Sequence, residues 1–165
     1  MEDLYKADVR QSNGDTVTFL MRYSKPTDPI YQEGALVYYN RVKPINVDRL
    51  DSHIAGLPCI GIEFGALNYS YIGGDETYYN PVSINAIPEG IKWIGDKVFF
   101  ERYGNENVKL PESVEYIGEE CFAFSNIDNM LLPSNIRKLG SQCFGHTKLK
   151  EIVVPGSLKE IPSSE

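Results

Sequence analysis

The chain has 165 residues, 42% of them hydrophobic, and a formal net charge of −7. That length supports a real core and one or two domains. The acidic balance argues against a face that neutralises nucleic-acid phosphates, and no apolar run approaches the roughly 20 residues of a membrane span. The start, Met1-Glu-Asp-Leu-Tyr-Lys-Ala-Asp, lacks the basic and apolar regions of a signal peptide. A cytoplasmic location is therefore expected, or a cell-surface one if a leader was removed.

Residues 5–23 predict a β-hairpin. Tyr5 to Gln11 and Thr16 to Tyr23 flank Ser12-Asn13-Gly14-Asp15, and Asn-Gly is the strongest short turn signal. The stretch from Tyr23 to Gly34, with two prolines, predicts a loop, and Ala35 to Val42 a third strand. Asn46 is placed to cap a short helix through Ile54 that Gly56 would end. In residues 57–65, Ile60, Ile62 and Phe64 alternate onto one face, which predicts a strand of period two.

From Pro88 onward one pattern is written repeatedly: PEGIKWIGDKVFF (88–100), PESVEYIGEECFA (111–123), PSNIRKLGSQCFG (133–145) and PGSLKEIP (155–162). The prolines fall 23, 22 and 22 residues apart. Each copy has aliphatics three and six positions on, such as Val114 and Ile117. The first three add glycine at seven (Gly95, Gly118, Gly140) and phenylalanine at eleven (Phe99, Phe122, Phe144). Gly73, ending Tyr69-Ser-Tyr71-Ile72-Gly73, is in phase with those glycines, so a degenerate copy is expected from about Ala66. Thr77 or Tyr78 would stand near its Phe slot. A period of roughly 20–29 residues marks a leucine-rich solenoid.

The apolar runs ahead of the prolines (108–110, 127–132 and 149–154) predict strands that end where a ladder N–H would be missing. The glycine and the Cys-Phe or Val-Phe pair behind it predict a bend with one helical or 3₁₀ turn that drops its aromatic inward. No copy buries these side chains alone. Stacked copies form a parallel ladder with strands ~4.8 Å apart, each Phe resting on the next.

The phrase from Leu110 to Phe122, LPxSVxxIGxxxF, resembles the BspA-like leucine-rich repeats of many bacterial and some protist proteins. The resemblance covers about 66–162. Where the family commonly has alanine before the phenylalanine, this chain has Val98, Cys121 and Cys143. The resemblance implies a binding scaffold rather than a catalyst. Many such proteins are displayed on cell surfaces, and the missing export signal departs from that.

The three cysteines (Cys59, Cys121, Cys143) show no CxxC spacing, and only His53 and His146 could complete a zinc set, so no metal or cofactor is expected. Cys121 and Cys143 occupy equivalent positions in adjacent copies. A reduced buried pair is expected over a disulfide, whose torsion parallel side chains rarely meet. Neither histidine has a nucleophile or orienting partner at a recognisable spacing; His146 is read as an exposed loop residue. Gly73-Gly74 lacks the Lys-Ser/Thr of a phosphate loop. Glu112, Glu115, Glu119 and Glu120 lie in one copy and Arg137, Lys138, Lys148 and Lys150 in the next, so neighbouring copies should attract each other. Ten of the eleven tyrosines lie at or before residue 103, and exposed tyrosine is typical of binding surfaces.

The expected architecture is an α/β repeat solenoid: a leucine-rich-repeat-like parallel strand ladder with short helical or 3₁₀ turns, preceded by a small β-rich cap. The cap takes residues 1–65 and the repeats 66–165, with copies near 66–87, 88–110, 111–132 and 133–154 and a partial one at 155–162. The expected function is non-enzymatic protein–protein interaction with a protein partner, without direct contact to nucleic acid or membrane. The strand face is expected to present Lys109, Asp128, Asn129, Leu131, Lys150, Glu151 and Val153, helped by Tyr79, Tyr103 and Phe124. A homodimer through the C-terminal strand edge is a further expectation. The alternative is a small acidic inhibitor or decoy, mobile-element encoded, that blocks a basic groove of a nucleic-acid-processing enzyme.

Overall fold

The computed structural model describes residues 4–42, 47–67, 69–70, 77–78, 87–100, 107–125, 127, 129–147, 149, 151–153 and 155–156. The predicted hairpin is present. Strand β1 (Tyr5–Arg10) pairs antiparallel with β2 (Thr16–Tyr23), from Tyr5↔Met21 to Arg10↔Thr16. Gly14 turns the chain at φ 93°, a left-handed conformation that costs glycine least. Strand β3 (Leu36–Arg41) pairs antiparallel with β2 through a bulge at Leu20/Met21. The loop between β2 and β3 is held by Arg22, which is only 3% exposed. Its Nη1 and Nη2 donate to both carboxylate oxygens of buried Asp28 at 2.9 and 2.8 Å, and its Nε donates to Glu63 at 2.8 Å.

Residues 47–54 are not the expected helix. The amides of Asp48 and Arg49 donate to the buried side-chain oxygen of Gln11, and the amide of Asp51 donates to the Tyr38 hydroxyl. A helix capped at Asn46, which lies outside the described residues, would leave the first two of these amides without a carbonyl in any case; the Asp51 amide, which it would direct to its own carbonyl, goes to Tyr38 instead. The segment ends in β4 (His53–Ile54), which turns back antiparallel onto β5 (Leu57–Ile62). The two turn residues, Ala55 and Gly56, have φ of 53° and 79°, as a two-residue hairpin of matching twist requires. Cys59 through Ile62 are all buried, so β5 is covered on both faces rather than one. Phe64 opens a helical turn, α1 (Phe64–Leu67), the only helix among the described residues.

The cap and the repeats share one sheet. Strand β5 lies parallel to β3 on one side and to β8 (Trp93–Ile94) on the other. Beyond β8 come β10 (Tyr116–Ile117) and β12 (Lys138–Leu139). Register fixes two rows of side chains. Met21, Tyr38, Ile62, Ile94, Ile117 and Leu139 lie side by side and are all buried, forming the spine of the core. On the opposite face Arg22, Val37, Gly61, Trp93, Tyr116 and Lys138 form a second row, buried at the cap and exposed at Lys138. A Cβ on Gly61 would stand 2.2 Å from the Trp93 ring, so the indole occupies the space a side chain would fill.

Strand β5 therefore takes the place beside β8 that the period assigns to Tyr71-Ile72, which lie outside the described residues. Tyr69–Ser70 (β6) pairs antiparallel with Thr77–Tyr78 (β7).

From β8 on, each coil contains two strands where the sequence suggested one. The anticipated ladder exists, shorter than expected, as β9 (Asn107–Lys109), β11 (Asn129–Leu131) and β13 (Glu151–Val153), all parallel. The Ile-Gly segments form the second, β8–β10–β12. The carbonyls of Pro88, Pro111 and Pro133 accept the amide three residues on, as in Val114 N to Pro111 O at 3.1 Å.

The turn after the glycine is not helical. Lys97, Glu120 and Gln142 all have φ between 52° and 57°, and the turn amides donate to the next coil, as in Phe99 N to Cys121 O (2.9 Å) and Phe122 N to Cys143 O (2.8 Å). The aromatic column is present: Phe99 and Phe122 stack at 5.4 Å and 6°, Phe122 and Phe144 at 5.6 Å and 9°.

The repeat glycines answer to close approach rather than to bending. A Cβ on Gly118 would lie 2.6 Å from the Asp96 amide nitrogen, and one on Gly140 would lie 2.3 Å from that of Glu119. Gly140→Ala should destabilise by about 1–3 kcal/mol or more through overpacking, and Phe122→Ala by about 3–5 kcal/mol through a cavity in the column. Urea denaturation of both variants measures this. Asp28→Ala removes one of the two carboxylates on buried Arg22, leaves Glu63 as its ionic partner, and should cost about 1–3 kcal/mol through the unsatisfied guanidinium donors, read as a lowered denaturation midpoint.

Candidate interaction surface

Strand β11 sets the geometry of the candidate surface. Met130 points into the core at 2% exposure, while Asn129 and Leu131 on either side are exposed, Leu131 at 44%. This is the alternation of a half-buried strand. Lys109 of β9 is in register with Leu131 and is also exposed. Glu151 and Val153 are in register with Asn129 and Leu131 on the other side. The structure thus brings Lys109, Asn129 and Leu131 onto one exposed face and aligns the backbone of Glu151 and Val153 with it. Asp128, Lys150, Tyr79 and Tyr103 lie outside the described residues.

Phe124 sits apart from that face, at the turn edge, and is 45% exposed. It stands in an aromatic column that sequence reasoning did not assemble. Phe100 meets it edge-on at 5.5 Å and His146 stacks on it at 4.6 Å and 14°. The Lys97 ammonium lies 5.7 Å from the Phe100 ring centre, within cation–π range. Phe124 and His146 share a left-handed backbone, at φ 59° and 55°, and stand one repeat apart. That spacing was the available signal. His146 is exposed in its turn, as expected of it.

Charge runs between coils. Glu115 and Arg137 approach to 3.5 Å across adjacent copies; with Arg137 largely exposed, such a pair is worth little alone. The chemistry of the cysteines is muted. Cys59, Cys121 and Cys143 are free and buried. Burial pushes the Cys143 thiol up to about 12 and that of Cys121 well above its ordinary value, so both remain protonated and poorly nucleophilic near neutral pH. Among the described residues, no group of three or more His, Cys, Asp or Glu side chains is arranged to hold a metal ion, and no helix is long and apolar enough to cross a membrane.

A family model for the BspA type leucine rich repeat region, with 6 copies, matches residues 69–165. No curated protein matches the chain. Among solved structures it is similar to the pneumococcal vaccine antigen PcpA, with a TM-score of 0.52 and 17% identity over 93% of this chain. The matched part is 39% of the PcpA chain, and at that identity the likeness concerns the fold.

Proposed function

Because the chain belongs to the BspA-type leucine-rich repeat family, we propose that it is a non-enzymatic protein-interaction module, a repeat solenoid whose strand face receives a protein partner. The observation that carries this reading is the exposure of Leu131 at 44% beside buried Met130. An aliphatic side chain held outward on a rigid strand, flanked by Lys109 and Asn129, offers apolar contact together with polar anchoring. The stacked coils fix that geometry before binding, which lowers the ordering cost of association. Leu131→Glu should abolish capture of partner proteins by the immobilised chain while leaving its thermal unfolding within a few degrees. Retention of the same proteins by the variant sinks the proposal, as does a reproducible catalytic turnover by the unaltered chain.

A second reading concerns the edge of the smaller sheet. Among the described residues β13 has one strand neighbour, β11. Ile152, in register with Met130, is 37% exposed. We propose that this edge pairs with a second copy. Light scattering should show a concentration-dependent dimer that Ile152→Glu dissociates; a monomer at every concentration overturns this.

A further inference from the structure

Three carboxylates of the repeats reach forward to hold the coil that follows. Glu89 Oε1 accepts the amide of Glu112 at 3.1 Å. Glu112 Oε2 in turn accepts the amide of Ser134 at 2.9 Å and the Ser134 hydroxyl. Asp96 Oδ1 accepts the amide of Glu119 at 2.8 Å. Each link joins residues 22 or 23 apart in sequence, so each crosses from one coil to the next. Glu112 is thereby both held and holding, and Asn135 Nδ2 donates to its carbonyl at 2.8 Å from the same following coil.

We propose that Glu112, gripping Ser134 of the next coil, is an acid-sensitive clasp, closed while its carboxylate is ionised and loosened when it is protonated. A carboxylate accepts an amide proton more strongly than a neutral carboxyl group does. Around Glu112 stand Lys109 of its own coil, Glu89 on the preceding one and the Ser134 donors on the next. The Ser134 donors, with a smaller contribution from Lys109, hold the Glu112 carboxyl below its ordinary value of 4.5. A carboxyl lowered in the folded state stabilises above its unfolded value and loses that contribution as pH falls through the folded one. Loosening therefore begins below about pH 4.5.

The cap has an acid-sensitive contact of its own, since Asp48 accepts from Ser12. A residue-resolved readout separates the two. Amide hydrogen exchange of the full chain, corrected for intrinsic rates, is followed by NMR from pH 7 to pH 3.5. Protection at Ser134 should fall roughly threefold to tenfold before protection in β1 and β2 changes. In Glu112→Gln, protection at Ser134 should be lower at pH 7 and nearly independent of pH. Loss in step with the β1–β2 hairpin, or a variant that follows the same pH course as the unaltered chain, overturns the clasp.

Discussion

The repeat depends on how closely one coil backbone lies on the next at the Ile-Gly corner. At Gly118 and Gly140 the neighbouring main chain occupies the position of a Cβ, so that corner admits glycine and little else. The approach brings Gly118 N within 2.8 Å of Ile94 O and Gly140 N within 2.7 Å of Ile117 O. It also sets the separation at which Phe99, Phe122 and Phe144 stack. A side chain at the corner would open the phenylalanine column and the β8–β10–β12 ladder together. Backbone contact and aromatic burial are therefore one constraint read at two places in the coil.

The cap is built into this arrangement and does not merely cover it. Strand β5 carries the parallel ladder back to β3, and the inner row from Met21 to Leu139 runs through both parts of the sheet. Tyr38 shows how the join is secured. It is fully buried, donates its hydroxyl to Asp51 O and accepts from Asp51 N. The residue thus contributes apolar area to the spine and satisfies two backbone groups of an irregular segment, which is how a buried phenol avoids a desolvation penalty.

Part of the reading of the repeat held: the phenylalanine spacing predicted a column, and the prolines marked where strands β9 and β11 stop. Asn13-Gly14 and the residues around it gave the first hairpin for the local reason of turn chemistry. Readings failed where distant residues decided the outcome. Residues 47–54 carry a plausible helix cap, but Gln11 and Tyr38 take the amides, and no local pattern announces that. The place beside Trp93 is taken by Gly61-Ile62, and the indole fills the space that a side chain on Gly61 would occupy, a long-range fit that no local pattern shows. The glycines were visible as a pattern but misread as bends, and the strands ahead of them went unassigned, since a two-residue strand has too little periodicity to identify itself. Of the candidate surface, Lys109, Asn129 and Leu131 followed from strand alternation, whereas the pairing of Phe100 and His146 with Phe124 needed the geometry of the turns.

Hydrogen bonding changes direction within each coil. In the ladder, Glu115 and Gly118 donate backward to Lys92 and Ile94; in the turn, Glu120 and Phe122 donate forward to Ser141 and Cys143. A coil is consequently gripped from both sides with opposite polarity, like a link that hooks its predecessor at one end and its successor at the other. Gaining or losing a few residues inside a link would put one set of hooks out of step with the other. Growth or shortening of such an array is thereby confined to whole units.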